Sequence, residues 1–363
     1  MKILYAIQGT GNGHLSRARD IIPLLQKKGD LDLLISGEQA DIDLPYPVRY
    51  RFKGLGFVFG KQGGVDLKET YKKANIRRLL SEINSIPIES YDLVINDFEP
   101  VSAWACKINN KQCIALSHQG AVLNKNAPQP KHLDPVGKAI LKHYAPATER
   151  YGFHFQAYDT NIYTPVIRKQ IRDLKPENKG HYTVYLPAYD DKRIIKVLSE
   201  CKDTKWQVFS KHNNNAFIVK NVSVQPVTND AFIKSIAGAA GVVCGAGFET
   251  PAEAMFLNKK LMVIPMKKQY EQYCNAVALQ SMGVPVLKSL KLKHCDRIKA
   301  WVKGDLSVLV TYPDITSQII DDIVSIHSKV TTEILSIQLP REINTVRKFR
   351  KMTLKKILAF LAT

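Results

Sequence analysis

The chain has 363 residues, with 52 Lys and Arg against 33 Asp and Glu, for a formal charge of +19. Apolar residues make up 45% and charged residues 23%, which excludes wholesale disorder, collagen and coiled coil. The length suits about two or three domains with full cores. No apolar run reaches the ~18–20 residues of a membrane-spanning helix, and the run Ile3–Ile7 is short for a signal-peptide core. The six cysteines (Cys106, Cys113, Cys201, Cys244, Cys274, Cys295) are scattered with no CxxC pair. They read as buried thiols of a reducing compartment, so a cytoplasmic protein is expected. The positive surplus attracts nucleic acid, anionic membrane or phosphorylated small molecules, and composition does not choose among them.

In chain order, Lys2–Ile7 is an apolar run that stops at a glycine cluster. An amphipathic stretch, Leu15–Lys28, follows, then a turn at Gly29-Asp30 and a second run, Leu31–Ile35. This is strand, glycine loop, helix, strand: the opening of a parallel βαβ unit. The pattern resumes at Asp92–Asn96 and Gln112–Ser117. Residues 53–72, rich in Gly, Lys and aromatic residues, read either as part of a substrate rim or as an insertion. Polar Lys175-Pro-Glu-Asn-Lys-Gly180 reads as a linker.

A second α/β series then begins. Strands are expected at Tyr182–Leu186, Trp206–Ser210, Ala216–Val219, Gly241–Cys244 and Leu261–Pro265, with helices at Asp190–Cys201 and Asp230–Ala239. The expected division is 1–165, a linker at 166–181, 182–325, and a helical basic tail at 326–363. In that tail, Arg341–Lys356 holds seven basic residues against one acid, interleaved with apolar ones. The pattern fits a helix docked on the body, or one lying on an anionic bilayer.

Three motifs carry chemistry. The first is Gly9-Thr-Gly-Asn-Gly-His-Leu-Ser-Arg17. It is neither a Walker A loop nor a good dinucleotide fingerprint, because His14 stands where a third glycine belongs. Glu38 still leaves a nicotinamide enzyme as an alternative. His14 is a candidate general base, or else a helix cap or phosphate ligand. Arg17, one turn on, either holds an anionic group or is a surface residue. The second motif is Gly245-Ala-Gly-Phe-Glu-Thr-Pro-Ala-Glu-Ala254, again a strand, a glycine turn and a helix start. Backbone N–H groups there and Thr250 suit a diphosphate, and Glu253 suits the two hydroxyls of a ribose. Glu249 reads as a capping acid. The third is Pro265-Met-Lys-Lys-Gln-Tyr-Glu-Gln-Tyr-Cys-Asn-Ala276, where Glu271 and Gln272 suit sugar hydroxyls. Two further clusters, Asn96-Asp97-Phe-Glu-Pro100 and Ser117-His-Gln119, end two strands. Asp97 or Glu99 either orients His14, replaces it as base, or caps the next helix; His118 is a further candidate.

Together the Gly-x-Gly-x-Gly-His loop, Gly247-x-x-Thr250-x-x-Glu253 and Pro265…Glu271-Gln272-x-x-Asn275-Ala276 resemble the GT-B nucleotide-sugar glycosyltransferases. The likeness covers roughly residues 1–325 and is greatest to the branch of the GlcNAc transferase of peptidoglycan lipid synthesis, glycosyltransferase family 28. Phe248-Glu249 and Glu271 depart from the usual residues of that family. The resemblance implies an α/β fold of two Rossmann-like doubly wound domains facing across a cleft. It also implies an inverting, metal-independent hexose transfer from a UDP-sugar, with no cofactor. By the same likeness, Gly245, Gly247 and Thr250 would meet the donor pyrophosphate, Glu253 the ribose, Glu271 and Gln272 the hexose, and Val227 the base. Gly11, Asn12, Gly13, Arg17 and His118 would face the acceptor. The basic surface and tail point to a lipid-linked or envelope glycan at the inner membrane leaflet, with a soluble acceptor as the alternative. The expected partners are thus a nucleotide sugar, a glycan or lipid acceptor and an anionic membrane, with no nucleic acid. The alternatives are a non-hydrolysing UDP-sugar 2-epimerase and a non-catalytic polyanion-binding protein.

Overall fold

The computed structural model describes residues 1–37, 44–55, 75–131 and 134–335. Glu38, the 56–72 part of the glycine- and aromatic-rich segment and the basic tail from 341 on lie outside the described residues.

The first sheet is parallel throughout, in the order β3-β2-β1-β4-β5-β6-β7. Its strands are β1 (Lys2–Gln8), β2 (Asp30–Ser36), β3 (Tyr50–Phe52), β4 (Leu93–Asp97), β5 (Ile114–Leu116), β6 (Glu149–Phe153) and β7 (Ile162–Tyr163). Between them run α1 (Asn12–Gln26), α2 (Ile76–Ser85), α3 (Pro100–Ile108), α4 (His118–Val122) and α5 (Pro135–Tyr144), with α6 (Lys169–Arg172) after β7. Ile3 to Ile7 are fully buried, because a central parallel strand is covered on both faces and so reads as one apolar run.

The second sheet has the order β10-β11-β9-β8-β12-β13. Its elements are β8 (His181–Tyr185), α7 (Asp191–Leu198), β9 (Lys205–Ser210), β10 (Phe217–Val219), β11 (Val222–Pro226), α8 (Asn229–Gly238), β12 (Ala239–Cys244), α9 (Glu249–Phe256), β13 (Lys260–Val263), α10 (Tyr270–Ser281) and α11 (Cys295–Lys303). All pairs are parallel except β10 with β11. β10 is an antiparallel edge strand with all three residues exposed. The segment Val224–Val227, which ends on the residue expected to lie against the base, is mostly the strand β11.

The last described helix, α12 (Thr316–Leu335), packs against α1 and β4 of the first half. It therefore runs across residue 325 and returns to the first sheet. Ile319, Ile320 and Ile323 are buried in one core with Ile21, Ile22 and Val242. Apolar burial thus joins the halves, as it joins elements within each one. No helix among the described residues is long and apolar enough to cross a membrane.

Candidate active site

The first glycine turn lies at the carboxyl end of β1. Gly9 cannot carry a side chain, since a Cβ there would sit 2.8 Å from the Ile35 side chain and 3.1 Å from the Ser36 carbonyl. Gly11 is extended and α1 opens at Asn12. His14 and Arg17 are three residues apart and share a helix face. β4 pairs with β1 so that Asp97 stands opposite Ile7, which delivers its carboxylate under that face. His14 Nδ1 lies 2.8 Å from Asp97 Oδ1. Arg17 Nη2 donates to both Asp97 oxygens at 2.8 Å. With Asp97 as its acceptor, Nδ1 carries the proton, and Nε2 is left as the basic nitrogen. Gln119 Nε2 stands 3.5 Å from it.

Electrostatics follow from the packing. Burial pulls the His14 imidazole down, but the charge and hydrogen bond of Asp97 outweigh it, and its pKa is raised. Burial pushes the Asp97 carboxyl up, but the Arg17 and His14 charges outweigh that and hold it below the ordinary value. The residue after Asp97, Phe98, adopts a left-handed conformation at φ 57°. Such backbone in a bulky residue persists only where packing enforces it; here the Phe98 ring lies against Tyr144 with centroids 4.9 Å apart.

The turn at Phe98 points Glu99 away from the cleft. Glu99 is wholly buried and caps α3, accepting from Val101 N at 2.6 Å and Ser102 N at 2.7 Å. The hydroxyls of Ser36 and Ser102 donate to it as well, each at 2.6 Å. With four donors and no open face, Glu99 is a structural cap and not a catalytic carboxylate.

The second glycine turn follows β12. In the sheet order, β8 lies between β9 and β12, where the winding reverses; open α/β sheets bind ligands at such a point, beyond the carboxyl ends of the strands. A cavity of about 100 Å³ is found there, lined by Gly245, Gly247, Thr250 and Gln272 together with Tyr185–Tyr189 and Met266. Gln272 is fixed in place, its Oε1 accepting from Met266 N at 2.9 Å. Val227 follows β11 and lines neither this cavity nor the larger one described below.

The two acids of α9 are taken by arginines from outside the second sheet. Glu249 opens α9 directly after the N-cap Phe248, and its carboxylate is engaged elsewhere than the capping reading expects. Its Oε1 accepts from Arg17 Nη1 at 2.8 Å. Gly13 admits this approach, because a Cβ there would lie 2.5 Å from the Glu249 carboxylate. Arg17, 2% exposed, is therefore neither a surface residue nor free to hold a substrate anion. Glu253 is met by Arg168, whose Nε and Nη2 donate to the two carboxylate oxygens at 2.5 and 2.8 Å. Arg168 Nη1 also donates to Asn229 at 2.9 Å. Burial raises the Glu253 pKa and the Arg168 charge offsets it only in part. Arg168 is a residue that sequence reading missed; its only local signal is its place directly after the apolar pair Val166-Ile167 in a Pro-containing connector, beside the further cations Lys169 and Arg172.

A cleft of about 530 Å³ runs between the halves. Gly11, Gly13, His14, His118, Gly247 and Glu271 all line it. Glu271 Oε2 accepts from Gln119 Nε2 at 3.1 Å. His118 is inside the joint: its Nδ1 is 2.8 Å from Phe153 O, its Nε2 is 2.8 Å from Asn275 Oδ1, and its ring stacks on Phe248 at 3.9 Å. Among the described residues no group of His, Cys, Asp and Glu has the arrangement to hold a metal ion.

Comparison with known proteins adds the following. No curated protein matches the chain in sequence. Among solved structures, it is similar to Arabidopsis thaliana UGT89C1 complexed with UDP-L-rhamnose (TM-score 0.56, 11% identity, 96% of this chain and 99% of that one). It is also similar to Acinetobacter baumannii MurG (TM-score 0.53, 14% identity, 89% and 99%). A third is the spinosyn rhamnosyltransferase SpnG complexed with thymidine diphosphate (TM-score 0.52, 12% identity, 93% and 100%). These likenesses are of fold, and the fold is the two-domain GT-B architecture. The model of glycosyl transferase family 1 matches residues 1–304. On the strength of that match, the chain belongs to glycosyl transferase family 1 and is a glycosyltransferase of GT-B fold.

Proposed function

We propose that the protein moves a hexose from a nucleoside-diphosphate sugar, a UDP-sugar first among them, to an acceptor hydroxyl, with inversion and without a bound metal or cofactor. The observation that carries this reading is the His14–Asp97 pair, 2.8 Å apart in a cleft also lined by Gly247 of the second glycine turn. His14 Nε2 takes the acceptor hydroxyl proton as the oxygen bonds to the anomeric carbon. The bond from that carbon to the diphosphate breaks, and its electron pair leaves with the diphosphate. Asp97 orients His14 and stabilises the imidazolium that forms, the role of the buried acid in a hydrolase triad. The backbone N–H groups of Gly247 and the start of α9 would receive the diphosphate charge, with Gly245, whose N–H donates to the Tyr185 carbonyl at 3.3 Å, lining the seat. Glu271 and Gln272 would hold the hexose. Glu253 would reach the ribose by exchanging Arg168 for the hydroxyls. UDP-L-rhamnose and thymidine diphosphate in the similar structures support a nucleotide at this place.

The acceptor we propose is a glycan or lipid-linked hydroxyl. Phe98, Val136, Ile140 and Leu141 give the cleft an apolar wall, which suits a molecule with an apolar portion beside its reacting hydroxyl. A cytoplasmic protein held at an anionic membrane by its basic tail fits this acceptor, with no part for nucleic acid.

Calorimetric titration of UDP, GDP and dTDP tests the donor reading first. Uridine-selective micromolar binding is expected; silence with all three would sink it. Product anomers identified by NMR then decide inversion, and turnover retained in excess EDTA decides metal independence.

A further inference from the structure

Arg17 joins two things that belong to different halves of the molecule. Through Nη2 it donates to both oxygens of Asp97, the partner of His14, and through Nη1 to Glu249, at the first turn of α9. The chain His14–Asp97–Arg17–Glu249 therefore alternates in charge and runs from the floor of the first glycine turn to the mouth of the second. The guanidinium also lies over the Phe153 ring, 5.4 Å from its centroid. Arg17 and Asp97, 2% and 0% exposed, are little screened by water, and Glu249, 30% exposed, is screened more, so the coupling is strongest between Arg17 and Asp97.

We propose that Arg17 is a positioning residue that couples the second half to the base: by sharing its charge between Asp97 and Glu249, it makes the strength of His14 depend on the seating of α9. The reason is electrostatic. Asp97 favours protonated His14 and Arg17 disfavours it. Glu249 acts in the same sense as Asp97, directly on the imidazole, and through its bond to Arg17 it also sets a second negative charge against the guanidinium. With Glu249 drawn away, the Arg17 charge falls on Asp97 alone and His14 becomes a weaker base. A base of full strength thus exists only while the second half, which we expect to carry the donor, is docked as it is here. The other ionisable groups near this chain include Tyr5, which burial and Asp97 hold protonated, Glu253 and Arg168, which feel the Glu249 charge, and Glu271, which stands behind Gln119. None of these bonds to Arg17 among the described contacts.

This inference rests on His14 being the base, and its test separates the two. Histidine labelled at 13Cε1 is titrated by NMR in the wild-type chain, Glu249→Gln and Arg17→Gln, with the His14 signal assigned by its loss in His14→Gln. The His14 midpoint is expected to move to lower pH in Glu249→Gln and to higher pH in Arg17→Gln. The acid limb of kcat/KM should follow in the same two directions, which loss of structure alone does not produce. A Glu249→Gln midpoint that stays in place or moves upward overturns the coupling. Where circular dichroism shows Arg17→Gln unfolded, the half-exposed Glu249→Gln decides alone. Wild-type turnover in His14→Gln would instead sink the base reading and leave the NMR result standing on its own.

Discussion

The two glycine turns are built alike and do opposite things. Each leaves a parallel strand, crosses a Gly-x-Gly step and opens a helix, β1 into α1 and β12 into α9. The first helix start presents an imidazole and a cation, His14 and Arg17, over a buried acid. The second presents acids, Glu249 and Glu253, and each accepts from an arginine contributed by another part of the chain. The same local design thus acquires its chemistry from what is placed across it. The first turn draws Asp97 from a neighbouring strand, and the proposed base rests on that pairing. The second draws Arg17 and Arg168 from α1 and the connector, and so becomes a joint as well as the proposed anion seat.

This contrast can be broken by experiment, beginning at the first turn. Replacing His14 by Gln should lower turnover about 10²–10⁴-fold, the range of a lost general base, while UDP binding measured by calorimetry is unchanged. A variant retaining full rate would move the base elsewhere in the cleft. Removing an arginine should cost stability in both halves. Arg17→Met leaves Asp97 ionised and buried against His14 alone, and Arg168→Met leaves Glu253 buried without its cation. Each is expected to cost about 3–5 kcal/mol in urea unfolding, as for other broken buried pairs. A cost under about 1 kcal/mol would mean that water replaces the arginine.

The two buried acids should also differ in the sign of their pH dependence. The Asp97 pKa is lowered by folding, so its contribution is complete above the unfolded value, about 3.9, and is lost as pH falls through the folded one. The Glu253 pKa is raised, so its contribution has the opposite sign and is lost as pH rises through the carboxylate range. Melting curves of Asp97→Asn against wild type should therefore converge as the solution is acidified. A gap that widens towards low pH would contradict the assignment. The smallest effect is expected at Glu249→Gln, where a carboxylate that is 30% exposed should contribute under about 1 kcal/mol to stability. Its consequence lies in the titration of His14.

The sequence alone was enough for the central architecture. Ile3–Ile7 and Gly241–Cys244 are short apolar runs that lead into glycine turns, and their period and punctuation are local properties. The same holds for Gly13, His14, Gly245, Gly247 and Thr250, which ride on turns that their own glycines specify. The short strands β3 and β7 carry little local signal because neighbours, not burial of their own pattern, hold them in place, whereas the edge strand β10 falls within the expected Ala216–Val219. Partnership was decided only by the tertiary structure. Asp97 and Glu99 are two residues apart and equally acidic, yet the left-handed Phe98 turns one to His14 and the other into a helix cap. Glu249 reads as a cap from its position, and only the approach of Gly13 and Arg17 takes it across the cleft. Arg168 meets Glu253 over 85 residues of chain, a distance at which no spacing rule operates. An ion pair of this kind depends on where two rigid frames are held, and that follows from the apolar core joining the halves.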